Sequence, residues 1–156
     1  MKIRKRRIGQ AAAAVVMGIS LALAAGCGAV DSVNQSLNYA NEATGFVTDI
    51  STAGTELQGL AEQAVSDPQA LADLKNQLQA LRDEAQQFTQ VEAPEYAQSI
   101  HGEISGYAQS LSEAADSFLQ RMEQQGFTIE AWQQTEIAQL IQQITELKGQ
   151  INQLGG

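Results

Sequence analysis

The sequence is poor in the residues that carry most protein chemistry. It has one Cys and one His in 156 residues. A lone Cys excludes an intramolecular disulfide and any Cys-clustered zinc or iron–sulfur site. A lone His excludes multi-His metal sites and paired-His catalysis. Positive charge is scarce: 9 Lys and Arg stand against 18 Asp and Glu, a net charge of −9 and a pI near 4.4. Nucleic-acid binding needs a surplus of Lys and Arg to neutralise phosphates, so the composition argues against it. β-branched runs of period two are also absent, and no sheet is expected. The length suits one domain. Hydrophobic residues make up 44% of the chain, much of it alanine, so any core must pack closely.

The few basic residues are unevenly placed. Lys2, Arg4, Lys5, Arg6 and Arg7 lie within the first seven positions. A neutral, mostly apolar run from Ile8 to Ala25 follows, and it ends in Leu23-Ala24-Ala25-Gly26-Cys27. A basic start, an apolar stretch and a small-residue cleavage site are the three parts of a secretory signal. The basic cluster is held on the cytoplasmic side while the apolar run enters the bilayer.

Ala25-Gly26-Cys27 resembles the lipobox of bacterial lipoproteins. That resemblance implies diacylglycerol on the Cys27 thiol, cleavage just before it and Cys27 as the mature N-terminus. Leu is favoured three places before the cysteine; here Ala24 stands there and Leu23 one place further back. The alternative is an uncleaved membrane helix, for which Ile8–Ala25 is at the short edge of the usual span. Two acyl chains on one cysteine bury many methylenes at ~0.8 kcal/mol each, enough for stable membrane residence.

Three regions are therefore expected: a signal peptide over 1–26, a lipidated tether over 27–30 and an acidic domain over 31–156. Beyond Cys27 only Lys75, Arg82, Arg121 and Lys148 are basic, while all the acids lie there, a net of −14. Four segments carry apolar residues at alternating three and four spacing, the seam of an amphipathic helix. The first has Val30, Val33, Leu37 and Ala40, then Val47, Ile50, Gly54, Leu57, Ala61 and Ala64. Its phase slips between Val47 and Ile50, and a bend or break is expected near Ser51–Gly54. The second has Leu71, Leu74, Leu78, Leu81, Ala85 and Phe88. The third has Ala97, Ile100, Ile104, Tyr107, Leu111, Ala114, Phe118 and Met122. The fourth has Ile137, Leu140, Ile144, Leu147, Ile151 and Leu154, with Ile141 beside the stripe.

The punctuation agrees with these periods. Asp67-Pro68 is an N-cap followed by Pro at the first helical position. Ala93-Pro94 repeats the device, Gly126 suits a helix end and Thr128 can cap the next turn. Short connections force antiparallel neighbours. The expected fold is all-α, an antiparallel up-down-up-down bundle of three to four helices, with the first turns of the first helix as a stalk.

Candidate chemistry is sparse. His101 would need an orienting carboxylate, with Glu103 and Glu95 near in sequence, and a nucleophile. No such constellation is written, and a boundary histidine is the simpler reading. The acidic pairs Asp83-Glu84, Glu92/Glu95 and Glu113/Asp116 read as solvated helix faces rather than a facing catalytic pair. Gly102 and Gly106 have the spacing of a helix-contact pair, but a helix that is simply a little weak there is the favoured reading. Trp132, with Phe127 and Ile129 nearby, reads as an aromatic cap over the bundle end. A ligand groove would be lined by Tyr39, Tyr107, Phe118 or Trp132.

With the lipobox, the run Asp31-Ser32-Val33-Asn34-Gln35-Ser36-Leu37-Asn38-Tyr39-Ala40-Asn41-Glu42-Ala43, the Asp67-Pro68 start and Glu92-Ala93-Pro94-Glu95, the chain resembles small uncharacterised lipoproteins of Bacillus-type Gram-positive bacteria. The resemblance implies a signal peptide, a lipid-anchored cysteine and an extracytoplasmic helical domain. It supplies no activity and no catalytic residue. The expected function is a membrane-anchored structural or protein-interaction module of the cell envelope. No cofactor beyond the diacylglycerol on Cys27 is expected. The partners are the membrane and an unknown envelope protein; the alternative is an envelope ligand-binding module.

Overall fold

The computed structural model describes the backbone over residues 27–154 and side chains over 37–154. The signal peptide expected over 1–26 lies outside the described residues. Helix α1 spans Cys27–Gln63, α2 Pro68–Phe88 and α3 Gln98–Gln125, the last entered through a 3-10 turn at Glu95–Ala97. The final part of the chain forms three shorter helices, α4 (Ile129–Gln133), α5 (Ile137–Glu146) and α6 (Lys148–Leu154). Helix α1 packs on α2, α2 on α3, α3 on α5, and α5 and α6 return to α1. The ring closes an all-α, four-membered up-down-up-down bundle, and the described residues contain no strand.

The starts of α2 and α4 follow from their caps. The Gln69 backbone N–H donates to Asp67 Oδ1 at 2.8 Å, with Pro68 occupying the position whose N–H would be unsatisfied anyway. The Ala131 N–H donates to Thr128 Oγ1 at 3.1 Å. Gly126 ends α3 at a φ of 81°, a conformation that glycine adopts without steric cost.

Helix α1 is not broken near Ser51–Gly54; it is continuous from Cys27 to Gln63. Its seam runs through Ala43, Val47, Ile50, Gly54, Leu57, Ala61 and Ala64, a regular alternation of four and three with no slip. Counting Ala43 removes the apparent change of phase. Gly54 faces α5 so closely that an added Cβ would lie 2.8 Å from the Ile141 Cγ2 methyl. The glycine is a contact point between two helices rather than a breaker. Leu37 leaves the expected seam and is 46% exposed, while Tyr39 and Phe46 enter it.

In α3 the seam runs through Ala108 and Ala115, and Tyr107 and Ala114 flank it half-buried. The fourth stripe is buried as expected from Ile137 to Ile151, but the helix is interrupted at Leu147. At the end of the bundle away from Cys27, Trp132 is buried against Phe118, which also meets Phe127 edge-on. This is the aromatic cap that the sequence suggests. No helix among the described residues is long and apolar enough to cross a membrane.

Candidate functional site

Cys27 is the first described residue of α1. Its side chain, and Leu23, Ala24, Ala25 and Gly26 before it, lie outside the described residues. The backbone expected to form a tether over 27–30 is helical. At 1.5 Å per residue, about 18 Å of helix separates Cys27 from Tyr39. Tyr39 is the first residue of the described side chains to be buried.

Tyr39 opens an aromatic cluster at that end of the bundle. Its ring meets His101 of α3 edge-on, with centroids 5.7 Å apart. His101 also lies 5.5 Å from Phe88 at the end of α2, and Phe88 stacks on Phe46 of α1 at 4.2 Å. Three helices thus contribute rings to one layer. Beside it, Asn38, Tyr39 and Glu42 of α1 and Glu92, Ala93 and Pro94 of the α2–α3 connection line a recess of about 280 Å³. A second recess of about 210 Å³ shares Glu42 and includes Phe46, Glu84 and Phe88.

Two polar atoms in this layer are enclosed without a hydrogen-bond partner, the Tyr39 hydroxyl and His101 Nδ1. Leaving a buried polar group unpaired costs roughly 1–3 kcal/mol. Burial, and then the neighbouring Tyr96 and Glu42, push the Tyr39 hydroxyl up to about 12, so it is a protonated donor at physiological pH. Burial lowers His101 below the ordinary histidine value and favours its neutral ring. Glu84 is raised, first by burial and then by the Asp49 carboxylate across the α1–α2 interface.

His101 Nε2 lies 3.1 Å from the Ser105 hydroxyl one turn on in α3. The pair has the spacing of a base and a nucleophile, and an i, i+4 spacing on a helix was the signal that could have found it. Among the described residues no carboxylate is hydrogen-bonded to His101. Glu103 and Glu95 are exposed, and neither orients it.

Two members of the acidic pairs, Asp83 and Asp116, meet at a shared cation rather than face each other across a cleft. Arg82 of α2 contacts Asp83 at 2.8 Å and reaches Asp116 of α3 at 3.5 Å. Glu113 accepts from Gln109 on its own helix. Among the described residues, no group of three or more His, Cys, Asp or Glu is placed to hold a metal ion. An added Cβ on Gly102 or Gly106 would meet no atom within 4 Å, so nothing in the bundle packs on that face. The aromatics expected to share a groove are dispersed. Tyr39 lines the recess near the start of the bundle, whereas Phe118 and Trp132 fill its opposite end. Between Tyr107 and Phe118 alone lie about 16 Å of α3.

Residues 39–154 match a family of unknown function, DUF6376. The match begins at Tyr39, the first buried residue among the described side chains, and ends with α6. The chain is also 36% identical over 141 residues to the "Uncharacterized lipoprotein YybP" of Bacillus subtilis (strain 168), covering 90% of this chain and 95% of that protein. No solved structure matches the chain. The chain belongs to the DUF6376 family of unknown function.

Proposed function

We propose that the protein is a lipoprotein anchored through Cys27 on the extracytoplasmic face of the cell membrane. There its bundle serves as a non-catalytic structural or protein-interaction module of the envelope. The observation that carries this reading is the continuity of α1: the helix that includes Cys27 is the helix that supplies the first wall of the core. An anchor at that cysteine would be joined to the folded domain by helix rather than by loose chain. The Leu23-Ala24-Ala25-Gly26-Cys27 sequence and a relative named as a lipoprotein support the anchor.

Charge sets the posture. Beyond Cys27 the chain carries −14, and an anionic membrane repels it over about 8–10 Å at physiological salt. The anchor holds the bundle near the surface while repulsion keeps its body off the lipid. A partner is then met by the polar faces of the helices. Crosslinking on intact cells, with conjugates identified by mass spectrometry, tests the module. The expected result is a discrete conjugate with an envelope protein that disappears with Cys27→Ser. A surface-resident protein that yields no conjugate contradicts the module reading.

A second reading, an envelope ligand-binding module, is favoured by one feature. The recess beside Tyr39 is lined by the carboxylate residues Glu42 and Glu92 and by Asn38.

A further inference from the structure

The ring layer near the start of the bundle lies where its helices run out. Tyr39 is the first buried residue among the described side chains, Phe88 is the last residue of α2, and residues 91–94 are not helical. His101 stands one turn into α3 and joins the layer together. Its ring lies 5.7 Å from Tyr39 of α1 and 5.5 Å from Phe88 of α2. The aromatic cap is at the other end. Phe118, which packs on Trp132, lies about 26 Å further along α3 than His101.

The layer suits an uncharged His101. A neutral imidazole has one N–H and one bare nitrogen. Nε2 lies 3.1 Å from the Ser105 hydroxyl, which accepts the N–H when Nε2 carries it. Nδ1 then holds only a lone pair, and it is enclosed without a partner. Protonation turns Nδ1 into a charged donor bonded to nothing, a state that a protein interior disfavours strongly. The Tyr39 hydroxyl is also enclosed and unbonded, so in this packing it gives the new N–H no acceptor.

Charged groups around the layer do not compensate. Glu42 follows Tyr39 on α1, Glu84 precedes Phe88 on α2, Glu92 and Glu95 stand before α3, and Glu103 is on α3 itself. Among the described residues none of them is hydrogen-bonded to the ring, and burial is what lowers His101. Tyr96 of the 3-10 turn is exposed and acts on Tyr39. Helices α5 and α6 bring Glu146 and Lys148 only further along. Lys148 reaches Thr48, about 14 Å beyond Tyr39 on α1, and Glu146 lines a recess with Ser51 and Thr55. Glu84 opposes opening, since taking up a proton relieves its repulsion with Asp49 across the α1–α2 interface.

We propose that His101 is a proton-operated release for this end of the bundle: when its ring takes up a proton, the Tyr39–His101–Phe88 layer opens while the Phe118–Trp132 end stays closed. Proteins open locally in contiguous units, and the ends of elements open most readily. This layer borders non-helical chain, so few other contacts break with it. Opening turns the Tyr39 and Phe88 rings to solvent on the side of the bundle that α1 joins to Cys27. The proposal stands apart from the anchored-module reading. Its failure would leave membrane residence through Cys27 untouched.

The test uses the full chain in unlabelled nanodiscs of phosphatidylcholine, with its histidine, tyrosine and tryptophan rings labelled with carbon-13. The chain has one His and one Trp, so each end has a reporter that needs no assignment. The Tyr39 signal is assigned from Tyr39→Phe. On titration from pH 7.5 to pH 4.5, the His101 signal should report protonation and the Tyr39 signal should move with the same midpoint. Amide protection over 39–46 and 85–88 should fall by about tenfold or more, as expected for leaving a charged donor unpaired. The Trp132 signal and amide protection around Phe118 should stay unchanged. His101→Phe and His101→Gln cannot take up a proton there, and both should stay closed across the range. The proposal is overturned if His101 titrates while Tyr39 and the amides stay as they are, or if nothing opens by pH 4.5. It is equally overturned if the Trp132 end opens at the same midpoint. Opening in both variants as in the native chain overturns it too, and assigns the change to carboxylates.

Discussion

His101 and Glu84 sit in the same layer and respond to pH in opposite directions. Burial lowers His101 in the folded state, so its contribution to stability is complete above the ordinary histidine pKa of 6.5. That contribution is lost as pH falls through the lowered folded value. Glu84 is raised in the folded state, so its contribution is complete below the ordinary carboxylate range and is lost as pH rises through the folded value. Thermal unfolding from pH 7.5 to pH 5.5 should therefore fall less steeply in His101→Asn than in the native chain. Glu84→Gln should raise the melting temperature at pH 7.5. Equal slopes for His101→Asn and the native chain would contradict the enclosed, unpaired Nδ1.

The glycines make a second contrast at the same scale. Gly106→Ala meets no atom within 4 Å and should stabilise the bundle by roughly 0.5–1 kcal/mol, the difference in helix propensity. Gly54→Ala gains the same propensity but drives a Cβ against the Ile141 side chain. Overpacking costs about 1–3 kcal/mol, so the net effect should be destabilising. Urea unfolding midpoints for the two variants should move in opposite directions.

Among the elements, α2 and the α5–α6 stripe were the most legible from the sequence. Leu74, Leu78, Leu81 and Phe88, like Ile137, Ile144 and Ile151, are buried as their spacing predicts. Large aliphatic residues at helical spacing have few alternative faces. Helices α1 and α3 were read slightly out of phase because alanine carries part of their seams. Ala43, Ala108 and Ala115 are fully buried, but an alanine is as common on a helix surface as in a close contact. Leu37 and Tyr107 attracted the seam to themselves for the opposite reason, being large. The caps at Asp67 and Thr128 were legible because each is a local interaction, whereas Pro94 stands just before the turn at Glu95 rather than at its first position. Asp67→Ala should cost about 1 kcal/mol, measured as a lower urea midpoint. Trp132→Ala, which empties the aromatic cap, should cost roughly 3–5 kcal/mol in the same experiment. The recess was not legible beyond Tyr39, because its carboxylates come from elements that only the folded bundle brings together.

At the scale of the whole molecule the governing feature is the division of charge at Cys27. Five basic residues precede it and every acidic residue follows it. A basic, apolar leader and an acidic helical body suit opposite sides of a membrane, and the cysteine stands at their junction. The family match covers the body from Tyr39 onward, and the relative's similarity extends over most of the chain. On this account the fold is an acidic body carried on the helix that includes the anchor residue. Metabolic labelling with an alkyne-bearing fatty acid tests that account most directly, comparing the native chain with Cys27→Ser. The account predicts label on the native protein in the membrane fraction, a mature N-terminal peptide starting at Cys27, and complete loss of label in the variant. Label retained by Cys27→Ser, or a native N-terminus that still carries residues 1–26, would contradict it.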